Sequence, residues 1–300
     1  MRALVTGATG FVGRKLLQLL ERPVVLSRDP ERARRALGAD LAVFPWDPEA
    51  GPPPAESLRN IDAIFHLAGE TVAGRWNEAK KQRIRESRVR STQRLVKALE
   101  AASPRPAVLV CASGVGYYGD RADEVLEEIS PPGQDFLAQV CRDWEAEANR
   151  ARALGVRVVA LRTGIALGPK GGALAQMLIP FKLGVGGRLG NGRQWMSWIH
   201  LDDLAGLYLH AAERAEISGA VNAVAPAPAT NQEFTRALAA ALHRPAVFPV
   251  PEFALRLAVG EFATALLSSQ RAFPRVAEQT GYQFHHPDLA EALRACVEHR

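Results

Sequence analysis

Short apolar runs at 3–5, 24–26, 41–44, 63–67, 107–111 and 156–161 are each bounded by turn residues, the pattern of buried β-strands. Between them, apolar residues recur at helical spacing over 11–20, 30–37, 77–101 and 135–153. Strands that alternate with helices predict a parallel sheet covered on both faces. The Gly51-Pro52-Pro53-Pro54 stretch reads as a loop. After about Gly168 the rhythm changes. Gly184, Gly186, Gly187, Gly190 and Gly192 lead into a strand-like run at 195–199, and helical patterns follow at 202–212, 231–242, 252–267 and 287–297. The chain therefore divides into a doubly wound α/β sheet domain over 1–168 and a small C-terminal α/β subdomain over 169–300, with some segments returning to the sheet. There is no internal repeat.

Composition narrows the picture. The chain has 300 residues, 47% hydrophobic and 23% charged, which excludes a disordered or fibrous protein and allows a core that needs no disulfide or metal. Cys111, Cys141 and Cys296 are far apart and form no CxxC pair, which argues for a reducing compartment and against a metal site. The N-terminus runs straight into a glycine turn without a leader peptide, and no apolar stretch is long enough for a membrane span. The expectation is a cytoplasmic chain with no membrane partner. A net charge of +5 and a pI near 9.4 raise the question of nucleic acid. The basic residues are dispersed, however, and the densest run, Arg83 to Arg90, is interrupted by Ile84, Glu86, Ser87 and Val89, as on a solvated helix face. The reading is no nucleic acid; a mildly basic surface suits a small anionic ligand.

Thr6-Gly7-Ala8-Thr9-Gly10-Phe11-Val12-Gly13 follows the first strand and opens an apolar-periodic helix. That context is the one a dinucleotide fingerprint requires. Gly7 permits the tight turn, Gly10 lets backbone N–H groups approach a diphosphate, and Gly13 lets helix and strand pack closely. The helix N-terminus adds partial positive charge. The second strand should end near the adenosine ribose, where an acidic residue would repel a 2′-phosphate. Ser27-Arg28 stands there instead, and a guanidinium takes a phosphate bidentately. Asp29-Pro30 fits a helix cap followed by proline at the first helical position, so the carboxylate is occupied by backbone. The cofactor implied is NADP(H), the alternative being that Arg28 is a plain surface arginine.

These residues resemble the extended short-chain dehydrogenase/reductases. TGATGFVG matches their glycine motif and His66-Leu67-Ala68-Gly69 their segment after the fourth strand. AGE (68–70), GRW (74–76), SRV (87–89), GVGYYGD (114–120), FLAQVCRDWEAEA (136–148), RTGIALG (162–168), WMSWIHLDD (195–203), the 222–226 stretch and SSQRAFP (268–274) resemble, more narrowly, the atypical "epimerase family" of NAD-dependent epimerase/dehydratase-like proteins. The resemblance runs from end to end and implies a Rossmann-type domain with a small C-terminal substrate subdomain. It also implies an NADP(H) site that draws on Gly7 to Gly13 (with Thr9, Gly10, Phe11 and Val12), Ser27, Arg28, His66 to Gly69 (with Leu67 and Ala68), Arg88, Arg162 and Gly164.

The catalytic pattern of such enzymes is a Ser or Thr after the fifth strand and Tyr-x-x-x-Lys on the next helix, the ammonium lowering the phenol pKa. Ser113 fills the first position. With Glu145 aligned to the glutamate that commonly follows the lysine, Cys141 stands at the lysine position and Leu137 at the tyrosine position. Tyr117 and Tyr118 are candidate proton donors or, equally, packing or substrate-contact residues, and Glu70 is either a proton-transfer group or the partner of an arginine. Arg88 falls on the apolar face with Ile84, Ser91, Leu95 and Ala98 and needs an anionic partner, Glu70 first and a ligand second. Cys141 reads as a core thiol. Trp76, Trp195 and Trp198 wall a pocket or fill core, and His200 and Asp203 form an acid–base pair or, better, a structural cap. The implied function is an NADP(H)-dependent oxidoreductase or epimerase-like protein for a small-molecule or nucleotide-sugar-like substrate, monomeric or homodimeric. The alternative is a cofactor-bound, non-catalytic sensor or scaffold.

Overall fold

The computed structural model describes residues 1–169 and 171–298. Six strands of the first half join one of the second in a single parallel sheet: β1 (Ala3–Thr6), β2 (Val24–Ser27), β3 (Ala42–Pro45), β4 (Ala63–His66), β5 (Val108–Gly114), β7 (Arg157–Thr163) and β11 (Gly219–Ala223). Their order is β3-β2-β1-β4-β5-β7-β11, every pair parallel. The order reverses direction between β1 and β4, which opens a crevice at the carboxyl ends of those strands. The period-2 alternation of strands sorts the side chains onto two faces. Val5, Phe65, Val110 and Leu161 face α1 (Phe11–Leu17) and α6 (Leu201–Glu213). Leu4, Ile64, Leu109 and Val158 face the other way, against α3 (Glu78–Glu100) and α4 (Phe136–Asn149). Both sides are dry, as near-continuous apolar strands demand.

A separate core, built on Leu167, Leu174, Trp198, Phe234, Leu238 and Leu293, joins β8 (Ile165–Leu167), α5 (Gly172–Lys182), β10 (Trp198–His200), α7 (Asn231–Leu242) and α11 (Leu289–Glu298). β8 pairs with β10, β9 (Trp195–Met196) with β12 (Ala229–Thr230), and β6 (Val125–Leu126) with β13 (Arg271–Ala272). The second half thus forms one small ribbon of its own (β9–β12), shares two with the first half (β8–β10 and β6–β13), and gives α6 and β11 back to the large sheet.

Several elements differ from the sequence pattern. The run at 195–199 is two strands, because Ser197 turns the chain: its Oγ donates to Gln270 O (2.8 Å) and accepts from Ala272 N (2.9 Å). The helix read at 252–267 is α8 (Glu252–Val259) and α9 (Phe262–Leu267), separated at Gly260, whose φ of +62° ends the first. The glycine-rich stretch after Gly168 contains α5, a helix with Pro180 inside it. Among the described residues no helix is long and apolar enough to cross a membrane. All three cysteines are buried and free.

Candidate functional site

The glycine turn sits at the β1/β4 crevice. Gly7 has φ +70°, and a Cβ there would lie 2.8 Å from Ala68 N and Leu67 C, so the turn passes directly over the end of β4. A Cβ at Gly13 would lie 2.3 Å from Gly7 O and 2.7 Å from Ala8 Cα; only glycine lets α1 rest on the turn. Gly10 caps α1 without a side-chain hydrogen bond, and the first helical turn holds no acid, so its N–H groups are left for an anion. Thr9 is exposed and Val12 half-buried. The Phe11 ring is wedged into the loop after β8, where a Cβ at Gly168, Gly171 or Gly172 would come within 2.7, 2.6 or 2.8 Å of it. Its side chain locks the turn in place.

At the end of β2, Asp29 accepts from Arg32 N (2.9 Å) as the cap of α2 (Pro30–Leu37), with Pro30 at the first position. Ser27 Oγ accepts from Asp29 N (3.2 Å) and donates to Asp29 O (3.0 Å). The carboxylate next to Arg28 is therefore committed to backbone, and Arg28 is exposed with no acid within bridging distance among the described residues. The cradle fits a dinucleotide, and the free guanidinium beside it fits an extra phosphate.

At the end of β4 the sequence reading needs correction. His66 is fully buried. Its Nδ1 meets Thr6 Oγ1 at 2.7 Å and its Nε2 meets Thr92 Oγ1 at 3.0 Å. Thr92 gives its own proton to Arg88 O (2.7 Å), so the network assigns the proton to His66 Nε2. Burial lowers the His66 pKa to about 4, and the ring stays neutral. Its role is to tie β1, β4 and α3 together, not to touch a cofactor with its side chain. The backbone of Leu67, Ala68 and Gly69 borders the crevice instead, with Ala68 N donating to Thr6 Oγ1 (3.1 Å). Glu70 is paired with Lys80 (2.7 Å), whose hydrogen bond holds the carboxyl below its ordinary range. The expected Arg88–Glu70 pair does not form.

The strand register explains a second group. Ser113 of β5 lies opposite Arg162 of β7, and Arg162 opposite Asn222 of β11, a row of three polar residues at the carboxyl edge. Glu145 of α4 lies over this row. It accepts Arg162 Nε and NH2, each at 2.9 Å, and Ser113 Oγ at 2.7 Å. Arg162 NH1 also donates to Tyr118 OH (3.1 Å), which donates to Asn222 Oδ1 (2.7 Å). Burial opposes the charge on Arg162, but the hydrogen bond and charge of Glu145 outweigh it and raise its pKa. Burial raises the Tyr118 phenol to about 12 against the pull of Arg162. Three assignments change accordingly. Ser113 donates its hydroxyl hydrogen bond to Glu145, Tyr118 is a buried strut, and Arg162 is an internal counter-ion with four of its five N–H donors committed to protein groups. Gly164 is glycine for a local reason: a Cβ would lie 2.5 Å from Ser197 O. Of the two tyrosines only Tyr117 remains available; its ring stacks 3.4 Å from Arg162 Cζ and its hydroxyl makes no hydrogen bond among the described residues. Sequence reading missed Asn222 and the role of Glu145, although strand register and the i,i+4 step from Cys141 point to both.

Cys141 is buried, and burial pushes its thiol to about 11, consistent with a core residue. Leu137 packs on Gly116, where a Cβ would approach Leu137 Cβ to 3.2 Å. Trp198 is core, Trp195 Nε1 donates to Asp123 (2.8 Å), and Trp76 packs on Phe136 and Phe262. Asp203 accepts His285 N (2.8 Å) and His286 N (2.9 Å), the structural role. His200, Asp202 and His286 converge within 4.8 Å, but Lys15 holds Asp202 at 2.6 Å and His200 Nδ1 accepts Asp202 N (3.2 Å).

Residues 3–223 match the family model described as NAD dependent epimerase/dehydratase family. The chain belongs to that family. Residues 250–296 match a second model, a domain of unknown function designated DUF1731. The chain is 39% identical over 310 residues to the chloroplastic epimerase family protein SDR39U1 homolog of Arabidopsis thaliana, covering 99% of this chain and 87% of that one. It is 38% identical to epimerase family protein YfhF of Bacillus subtilis, covering 100% and 99%. The crystal structure of human epimerase family protein SDR39U1 (isoform 2) with NADPH superposes with a TM-score of 0.89 at 37% identity, over all of both chains.

Proposed function

We propose that this epimerase-family chain is an NADP(H)-dependent oxidoreductase or epimerase-like protein acting on a small polar substrate. The observation that carries the reading is the pairing of an open glycine cradle with an uncommitted Arg28 at the end of the next strand. The structure of human SDR39U1 with NADPH supports it. Gly7, Gly10 and Gly13 would hold the diphosphate, and Ser27 and Arg28 the adenosine phosphate. When bound, the nicotinamide supplies or accepts a hydride. On the protein side, Tyr117 is the one candidate phenol with an uncommitted hydroxyl, and Glu70, ionised beside Lys80, is able only to accept a proton. The three buried thiols suit a reducing compartment.

A second reading is favoured by a specific observation. Ser113 is spent on Glu145, and Leu137 and Cys141 stand where tyrosine and lysine would be, so the relay of the wider family is not assembled. A protein that binds NADP(H) and signals its presence without turnover needs no such relay. Calorimetry with NADPH and NADH, followed by mixing the NADPH complex with a panel of carbonyl compounds, separates the readings. Loss of reduced-nicotinamide absorbance, abolished by Tyr117→Phe, supports the enzyme. Tight binding with no oxidation across the panel supports the sensor, and no binding of either coenzyme overturns both.

A further inference from the structure

Arg88 is a half-buried guanidinium without a carboxylate within 4 Å among the described residues, on a face where nearly everything else is apolar or hydrogen-bonded. Its NH1 donates to Ile84 O (3.1 Å) and, at 3.5 Å, to Ser87 Oγ. Nε and NH2 make no hydrogen bond among the described residues, so most of the five donors of the fork are unused. The group lies over the Trp144 ring, with Cζ 5.2 Å from its centre. On its other side is Gly69, where a Cβ would sit 3.1 Å from Cζ and 3.2 Å from NH2. Burial lowers its pKa, the direction desolvation gives a guanidinium. Glu70, the acid nearest in sequence to Gly69, is held by Lys80.

The position narrows the ligand. The adenosine end of a dinucleotide on this cradle runs toward β2, so the opposite end lies over β4 and β5. Gly69 follows β4, while Trp144 and Cys141 belong to α4, which packs on β5. Arg88 therefore approaches from α3 the region where the wider family places an ammonium and this chain has Cys141. A planar fork differs from an ammonium in binding two oxygens of one oxyanion at once.

We propose that Arg88 docks an oxyanion of the substrate, a carboxylate or phosphate, beside the reacting end of the cofactor. This rests on the NADP(H) reading for its location but not for its chemistry. A carboxylate or phosphate offers two coplanar acceptors to the unused edge and supplies the counter-charge that the protein withholds. The substrates of this site are anionic small molecules, and neutral carbonyl compounds bind weakly by comparison.

The test uses the NADPH-saturated protein, titrated calorimetrically with malonate in one arm and inorganic phosphate in the other. At least one of them binds the parent protein, and Arg88→Gln weakens that binding by about tenfold or more. Arg88→Lys, which keeps the charge and loses the fork, falls between them, and NADPH affinity stays within about threefold throughout. The arm that responds distinguishes carboxylate from phosphate chemistry. Equal anion affinity in parent and Arg88→Gln overturns the proposal, as does failure of both anions to bind the parent. So does a tenfold loss of NADPH affinity with anion binding intact, which would make Arg88 a cofactor contact. If NADPH itself does not bind, the functional reading fails, and the same titrations on the cofactor-free protein decide Arg88 separately. Circular dichroism checks folding; should Arg88→Gln not fold, Arg88→Lys carries the comparison.

Discussion

The Arg162–Glu145 pair offers the sharpest test of whether the carboxyl edge of β5 and β7 is ligand machinery or scaffold. The two side chains are 5% and 10% exposed and share two hydrogen bonds of 2.9 Å. Arg162→Met leaves the Glu145 charge buried with only the Ser113 hydroxyl as donor. Breaking one side of such a pair costs about 3–5 kcal/mol, because the surviving charge keeps its desolvation penalty and loses its compensation. Glu145→Leu should cost a similar amount by stranding Arg162, although Tyr118 OH and Glu128 O still accept from it at 3.1 and 3.0 Å. The double variant removes both charges. What remains is the Ser113 hydroxyl without Glu145 and the Glu128 carbonyl without Arg162, about 1–3 kcal/mol, while Tyr118 keeps its bond to Asn222. The cycle should therefore show a favourable coupling of about 2 kcal/mol or more. Urea unfolding followed by circular dichroism and tryptophan fluorescence reads the stability. NADPH titration of each folded variant reads the site, with affinity expected within about threefold of the parent. If Arg162→Met is as stable as the parent but loses NADPH, the pair is misread, and Arg162 belongs to the cofactor.

Two other perturbations test the remaining assignments. Arg28→Asp should weaken NADPH by about tenfold or more and leave NADH nearly unchanged, since it sets a like charge beside the 2′-phosphate alone; equal loss for both coenzymes would show Arg28 to be a bystander. The acid side of the stability profile should carry a His66 contribution. Its native pKa is about 4, below the ordinary value of 6.5, so the unfolded chain binds the proton first as pH falls. The contribution is intact above pH 6.5 and lost through the window down to pH 4, about 3 kcal/mol in all. His66→Gln should flatten that part of the curve, and an unchanged slope would place the acid sensitivity elsewhere.

The large sheet was legible because its strands are apolar on both faces and the glycine turn has a strict backbone requirement. β11 escaped because Gly219–Ala223 opens on glycine and carries Asn222, a polar residue made tolerable by the neighbouring row of Tyr118 and Arg162. α5 escaped because Pro180 and the glycines around it mask the helical period. In the site, the Asp29 cap was readable because its partner lies three residues away. Pairings over long separations were not. Periodicity correctly put Arg88 on an inward-facing side of α3, but which basic residue meets Glu70 depends on how α3 sits on β4, and Lys80 wins. The family resemblance put Ser113 among the catalytic groups and Arg162 among the cofactor groups. Their parity on β5 and β7, however, turns them toward α4 and Glu145.

The two halves of the crevice have been treated differently by the sequence. Around the cradle, each residue type that diphosphate binding demands is present, and a Cβ at Gly7 or Gly13 would collide with backbone. On the β5 side, the polar atoms that could have moved protons have been turned inward to brace α4 against β5, β7 and β11. A buried ion pair hydrogen-bonded in this way holds geometry but does not exchange protons readily, since each departure leaves a charge uncompensated in a low dielectric. Among the candidate groups, the Tyr117 hydroxyl and most of the Arg88 fork have no hydrogen-bond partner among the described residues. A guanidinium stabilises developing negative charge without giving up a proton. On the proposed enzymatic reading, Tyr117 and solvent are the two proton sources to separate. A solvent-derived proton would leave the rate insensitive to Tyr117→Phe while preserving its dependence on Arg88.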